Sequence, residues 1–138
     1  MLTGLWTIGI KVPSLERELE FHRQMGNEIV LDEILELDGE SFRLPLIKMG
    51  DKYIHVAEKM AYEPLLDEPL PHGMTHLVYI SDDFDRDVAR AIDSGAVALR
   101  EPADIKAEFG ERRVAFLRAP SGWIFEIIEI KRNLVPEV

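Results

Sequence analysis

Two runs of this chain begin in the same way: Gly73 to Ser81 reads like Leu5 to Pro13, and the residues after each run also correspond. A step of 69 residues carries Thr7 onto His76, Leu15 onto Phe84, Leu19 onto Val88 and Gly26 onto Gly95. Strand, helix and terminating glycine therefore recur without a gap. A solenoid needs several copies to bury its faces, so a long unit present twice points to two half-domains sharing one core. A functional site is expected between them.

At 138 residues the chain can bury a sizeable core but not two independent ones. Its 16 basic and 26 acidic side chains leave a formal charge of -10. Such a surface repels phosphate backbones and anionic membranes, so neither nucleic acid nor membrane is expected as a partner. There is no cysteine, which removes disulfides and thiolate chemistry and suits a reducing compartment. The start lacks a basic segment followed by an apolar run, and no stretch of eighteen apolar residues occurs. A cytoplasmic protein is expected.

Each repeat is predicted to be a β-α-β-β-β module, the first covering about 1–61 and the second about 73–132. In the first, an extended run from Leu5 to Val12 stops at Pro13, Ser14 caps a helix with Glu16 and Glu18 in its first turn, and Gly26 closes it. Three strands follow, Glu28 to Leu37, Ser41 to Met49 and Lys52 to Lys59, joined by the hairpin signals Asp38-Gly39 and Gly50-Asp51. Residues 62–72, with Pro64, Pro69 and Pro71, read as a linker. The second module is expected to have a strand to Ser81, a helix capped by Asp83 and ending at Ser94, and a strand near Val97 to Arg100. A polar stretch from Glu101 to Gly110 then precedes strands at Arg112 to Arg118 and Trp123 to Lys131. The tail from Arg132 carries no signal.

This order of elements, with the late segment Ala119 to Glu126 (Ala-Pro-Ser-Gly-Trp-Ile-Phe-Glu), resembles the vicinal oxygen chelate superfamily, which includes glyoxalase I, methylmalonyl-CoA epimerase, extradiol dioxygenases and bleomycin-resistance proteins. The resemblance spans nearly the whole chain. It implies an α+β, glyoxalase-like fold in which two βαβββ modules form a cup-shaped mixed sheet with flanking helices. It also implies a metal held by one residue from the first strand and one from the fourth strand of each module. The first-strand positions are Thr7 and His76. The fourth-strand positions are His55 and Glu126, because Tyr53 to Glu58 lines up with Ile124 to Glu129. Thr7 stands where a His or Gln is common in that family, and His55 where a Glu or Gln is common.

On this alignment His55, His76 and Glu126 would hold one divalent ion, either Fe, Mn, Co, Ni or Zn. Strand alternation places Tyr53, His55 and Ala57 on one face, Met74, His76 and Val78 on a second, and Ile124, Glu126 and Ile128 on a third. Those faces should line the cup. Thr7, Tyr53 and Ile124 are expected beside a small-molecule substrate, and Glu126 could also move a proton. Two neutral imidazoles and one carboxylate leave a bound ion a local charge of about +1, which strengthens its pull on a bound oxygen. The expected chemistry is capture of two neighbouring oxygens of a small metabolite, followed by isomerisation or lyase chemistry.

Taken singly, His55 could serve as a strand histidine bonded to a neighbour, and Glu126 could pair with an arginine such as Arg113. His22 and His72 are expected to be solvated. Trp6 and Trp123 are expected to point away from the ligand face, and Arg43, Lys48, Arg100, Arg112 and Arg113 either to receive an anionic substrate or to lie in solvent. An Fe(II)-dependent dioxygenase and a metal-free binding or resistance protein are the alternative functions. A homodimer is expected from the resemblance, with ligands drawn from one chain or, mildly favoured by the stiff linker, exchanged between two.

Overall fold

The first module runs β1 (Leu2–Lys11), α1 (Leu15–Gln24), β2 (Glu28–Leu37), β3 (Glu40–Met49) and β4 (Lys52–Ala57). The second runs β5 (Gly73–Ser81), α2 (Phe84–Asp93), β6 (Val97–Ala98), β7 (Ala103–Ala107), β8 (Gly110–Arg118) and β9 (Ile124–Asn133). These elements are those of a computed structural model that describes residues 1–137. The two helices keep the 69-residue step at both ends. Ser14 accepts the Arg17 N–H, and Gly26 closes α1 at φ +85°, a left-handed conformation that side chains resist. Asp83 occupies the cap position of α2 without bonding through its side chain; the Ser81 hydroxyl accepts the Asp83 N–H instead and donates to Asp87.

All nine strands form one sheet in the order β2-β3-β4-β1-β5-β9-β8-β6, with β7 also paired to β8. It is mixed: β1 lies parallel to β4 and β5 parallel to β9, while the other pairs are antiparallel. The modules of one chain join directly along β1 and β5, where Thr7 faces Val78, Ile8 faces Leu77 and Gly9 faces His76. The 69-residue step exchanges Thr7 with His76 and Gly9 with Val78, so a pseudo-two-fold axis passes through the Ile8–Leu77 pair. The register agrees with it, Thr7 lying beside Tyr53 as His76 lies beside Ile124. At the far edges the Glu108 N–H donates to Glu33 Oε2 at 2.6 Å, which brings the β7–β8 turn onto β2 and curls the sheet into a cup.

Side chains alternate between the two faces of this sheet. The outer face packs under helices: Leu15 and Leu19 of α1 lie on Val12, Ile47, Ile54 and Val56, and Phe84 of α2 lies on Leu117, Phe125 and Ile127. The inner face is the main core and draws on both modules, including Leu44, Leu46 and Tyr53 from the first and Val114, Phe116 and Ile128 from the second. The expected architecture of two half-domains around one core is the observed one. No helix among the described residues is long and apolar enough to cross a membrane.

Four expectations need correction. The segment Glu101 to Gly110 contains strand β7, whose Ala103 and Ile105 face inward while Asp104 and Lys106 face solvent. Residues 62–72 are folded onto the cup rather than strung between modules. They include a 3-10 turn at Glu63–Leu65, and Lys11 Nζ donates to Glu63 Oε2 and to the Leu70 carbonyl, both at 2.8 Å. The tail is docked at Val135, which is buried, and at Pro136, whose carbonyl accepts the Tyr53 hydroxyl at 2.6 Å. His22 is buried, with Nδ1 bonded to Asn27 Nδ2 at 3.0 Å, whereas His72 is exposed.

Candidate active site

The cup encloses a cavity of about 50 Å³. His55 reaches it from β4, His76 from β5 and Glu126 from β9, joined by Tyr62 from the linker and by Trp6 and Arg112 from β1 and β8. Most of the remaining wall is aliphatic, with Leu35, Leu44, Ile105, Val114 and Ile128 among its residues. Strand alternation accounts for His55, His76 and Glu126. Trp6 breaks that rule because β1 carries a bulge between Leu5 and Thr7, which turns the indole inward. The indole is edge-on to His55 with centroids 5.5 Å apart, contrary to the expectation that it would pack under a helix. Trp123 does lie away from the cavity, half-exposed and packed on Phe125.

His76 Nε2 and Glu126 Oε2 are 2.9 Å apart, and both side chains are largely buried. On the other side of the ring, Nδ1 lies 3.0 Å from the Tyr62 hydroxyl and 2.9 Å from the Thr75 hydroxyl. A hydroxyl can donate or accept, so these two partners suit either tautomer of His76 while fixing the plane of its ring. The ring lies over Gly9, where any Cβ would overlap the imidazole. Tyr62 is held above the usual phenol range, first by burial and then by the charges of Glu126 and Glu63, so it stays a neutral hydroxyl at the pair.

His55 stands apart from that pair. Burial, then the proximity of His76 and Arg112, pushes its pKa down to about 3, which keeps the imidazole neutral with a lone pair available. Its Nε2 is buried with no partner. Among the described residues no three His, Asp or Glu side chains are gathered closely enough to hold a metal as they stand. Two of the donors expected for a metal are thus juxtaposed, and the third is neutral, unsatisfied and on the same cavity wall. The donor chemistry fits a divalent ion, with His76 and Glu126 as the preformed part.

The residues expected beside substrate are placed otherwise. Thr7 is fully buried, its hydroxyl without a partner among the described residues. Tyr53 spends its hydroxyl on the Pro136 carbonyl, and Ile124 is packed in the core; none of the three lines the cavity. Among the basic candidates, Arg43 pairs with Asp32 and Glu16, Arg100 with Asp38 and Arg113 with Asp85. Glu126 therefore has His76 as its partner, not Arg113. Tyr62 and Met60 give no sequence signal as wall residues, because the path of the linker places them there.

No protein-family model and no curated protein sequence matches the chain. Solved structures do. Methylmalonyl-CoA epimerase from Streptomyces coelicolor in complex with 2-nitronate-propionyl-CoA superposes with a TM-score of 0.72 at 23% identity, covering 96% of this chain and 100% of that one. At this identity the likeness is one of fold. Methylmalonyl-CoA epimerase from Mycobacterium tuberculosis gives 0.70 at 21% identity, covering 95% of this chain and 90% of that one. A hypothetical protein from Bacillus halodurans C-125 gives 0.71 at 18% identity, covering 96% of this chain and 98% of that one. The cup-shaped, glyoxalase-like sheet that the resemblance implied is thus the observed fold.

Proposed function

We propose that this protein is a metal-dependent enzyme that moves a proton on a small oxygenated metabolite, in the manner of an isomerase. The observation that carries the reading is the His76–Glu126 pair, 2.9 Å apart and facing one enclosed cavity with the neutral, unpartnered His55. His76, Glu126 and His55 would hold the ion, which would supply Lewis acidity toward a bound oxygen and so acidify the adjacent C–H. Glu126 is the proton-handling group: its carboxylate can take a proton from that carbon and return it on the same side to the neighbouring carbon, with no net change in composition. Tyr62 and Thr75 hold the His76 ring so that Nε2 stays directed at Glu126. The aliphatic wall limits water at the pair, so the abstracted proton exchanges with solvent only over repeated cycles.

The similar structures include methylmalonyl-CoA epimerase bound to methylmalonyl-CoA, so thioesters of small carboxylic acids head the substrates to try. In deuterated water the enzyme should exchange the hydrogen next to the thioester carbonyl, read by proton NMR, and protein prepared without chelators should carry one metal ion per chain. His76→Ala should lose both properties. Metal content unchanged in that variant would remove the assignment. A second reading, a metal-free small-molecule binding protein, is favoured by the separation of His55 from the pair. Absence of bound metal after reconstitution with each of the candidate ions would select it.

A further inference from the structure

Arg112 carries a buried charge that no acid among the described residues balances. Its side chain is 2% exposed, comparable to the core around it. The other buried cation of the Lys and Arg set, Lys11, is paired with Glu63, but among the described residues no carboxylate lies within ion-pair distance of Arg112. Its two terminal nitrogens give all four N–H groups to neutral oxygens. Nη1 donates to the carbonyls of Glu111 at 3.1 Å and Arg132 at 2.6 Å, and Nη2 to the Phe109 carbonyl at 3.2 Å and Asn133 Oδ1 at 3.0 Å. Nε–H has no partner among the described residues. The guanidinium is held between the rings of Trp6 and Phe109, 4.8 and 5.1 Å from their centroids, so it is fixed in place as well as buried.

A guanidinium is costly to bury, and burial alone lowers its pKa to about 10, which still leaves it charged at neutral pH. Four neutral acceptors orient it without cancelling its charge. The cavity it lines is also lined by His55, whose Nε2 is unpartnered among the described residues, and by the His76–Glu126 pair. We propose that Arg112 is the anion anchor of this cavity and that the ligand it selects is a small carboxylate, its charged group at Arg112 Nε and its carbon chain along the aliphatic wall toward Glu126. A single free N–H suits one carboxylate oxygen better than a phosphate, whose several acceptors would need more donors. The volume agrees, since about 50 Å³ at roughly 10–15 Å³ per water-sized site accommodates a handful of non-hydrogen atoms.

The inference rests on the proposed function only in making Glu126 the proton-handling end; the anchor itself needs no metal. The test uses the full metal-free chain, with the arginine Nε–H resonances followed by NMR during titration with propionate and with the uncharged propionamide. Propionate should shift one Nε–H signal saturably, and propionamide should bind at least tenfold more weakly. Arg112→Lys should remove that signal and weaken propionate at least tenfold. Propionate binding is read on the metal-free protein and metal uptake on protein without propionate, so the anchor and the metal assignment can fail separately. No saturable shift with propionate, equal binding of propionamide, or undiminished affinity in Arg112→Lys would overturn the proposal. Should that variant not fold, the comparison of the two probes on the unsubstituted protein decides the matter.

Discussion

Gly9 has no side chain, and the His76 ring occupies the space one would need. Its pseudo-two-fold mate is Val78, which does carry a Cβ, opposite Thr7. An imidazole at position 7 could not lie over Val78 as His76 lies over Gly9, which gives a steric reason why one of the four equivalent positions holds a short, buried threonine. Gly9→Ala should therefore displace His76 without altering any candidate ligand. The expected cost is about 1–3 kcal/mol of stability from overpacking, together with at least a tenfold loss of metal affinity. Urea unfolding and metal titration would check both, and a variant that binds metal normally would show that His76 is not needed where it stands. The three candidate ligands, His55, His76 and Glu126, were singled out by the family resemblance and the alignment of the two modules, and they do share a cavity. Thr7 and Trp6 were not, because the bulge between Leu5 and Thr7 depends on pairing with β5, a partner some seventy residues away that no local pattern specifies.

Among the elements, the segment between the modules departs furthest from its sequence reading. Three prolines and no periodicity suggest a tether, yet Glu63 anchors the segment. Its Oε2 accepts from Lys11 at 2.8 Å and from the Leu70 N–H at 3.3 Å, and its Oε1 accepts from the Met60 N–H at 2.8 Å. Tyr62, beside it, thereby reaches His76. Helices and hairpins were readable because capping residues, Gly26 and Asp38-Gly39 act within a few residues, whereas a buried ion pair between positions 11 and 63 leaves no local trace. Lys11→Met should cost about 3 kcal/mol at neutral pH, since it leaves a carboxylate buried without its cation. Burial alone would raise the Glu63 pKa, but Lys11 and the two backbone N–H groups outweigh it and hold the group below its ordinary value of 4.5. A folded pKa below the unfolded one means that the stabilisation is complete above about pH 4.5 and fades as pH falls through the folded value. The stability gap between the native protein and Lys11→Met, measured by urea unfolding, should therefore narrow from pH 7 to pH 4. An equal gap at both pH values would mean that the ion pair does not hold the segment.

On the scale of the whole molecule, the question is whether each half of a duplicated chain could stand alone. The inner core argues against it. Trp6, Leu35, Phe42, Leu44 and Tyr53 from the first module pack in one cluster with Val78, Phe109, Phe116, Ile124 and Ile128 from the second, and each module by itself would expose that face to water. Each would also present the edge of β1 or β5, whose backbone groups are paired only with the other module on that side. A unit of about 65 residues buries only about 60% of its unfolded surface even when intact, so losing the inner face removes the margin for folding. The intact chain should unfold in a single transition whose calorimetric and van't Hoff enthalpies agree. Fragments 1–66 and 67–138, made separately, should show neither a cooperative melt nor the far-ultraviolet signature of the sheet. Mixing them should restore both, because the β1–β5 seam, the Tyr62–His76 contact and the shared core all lie across the cut. A fragment that melts cooperatively alone would show that one module carries its own core, and the site would then have to be regarded as a contact between two domains instead of the interior of one.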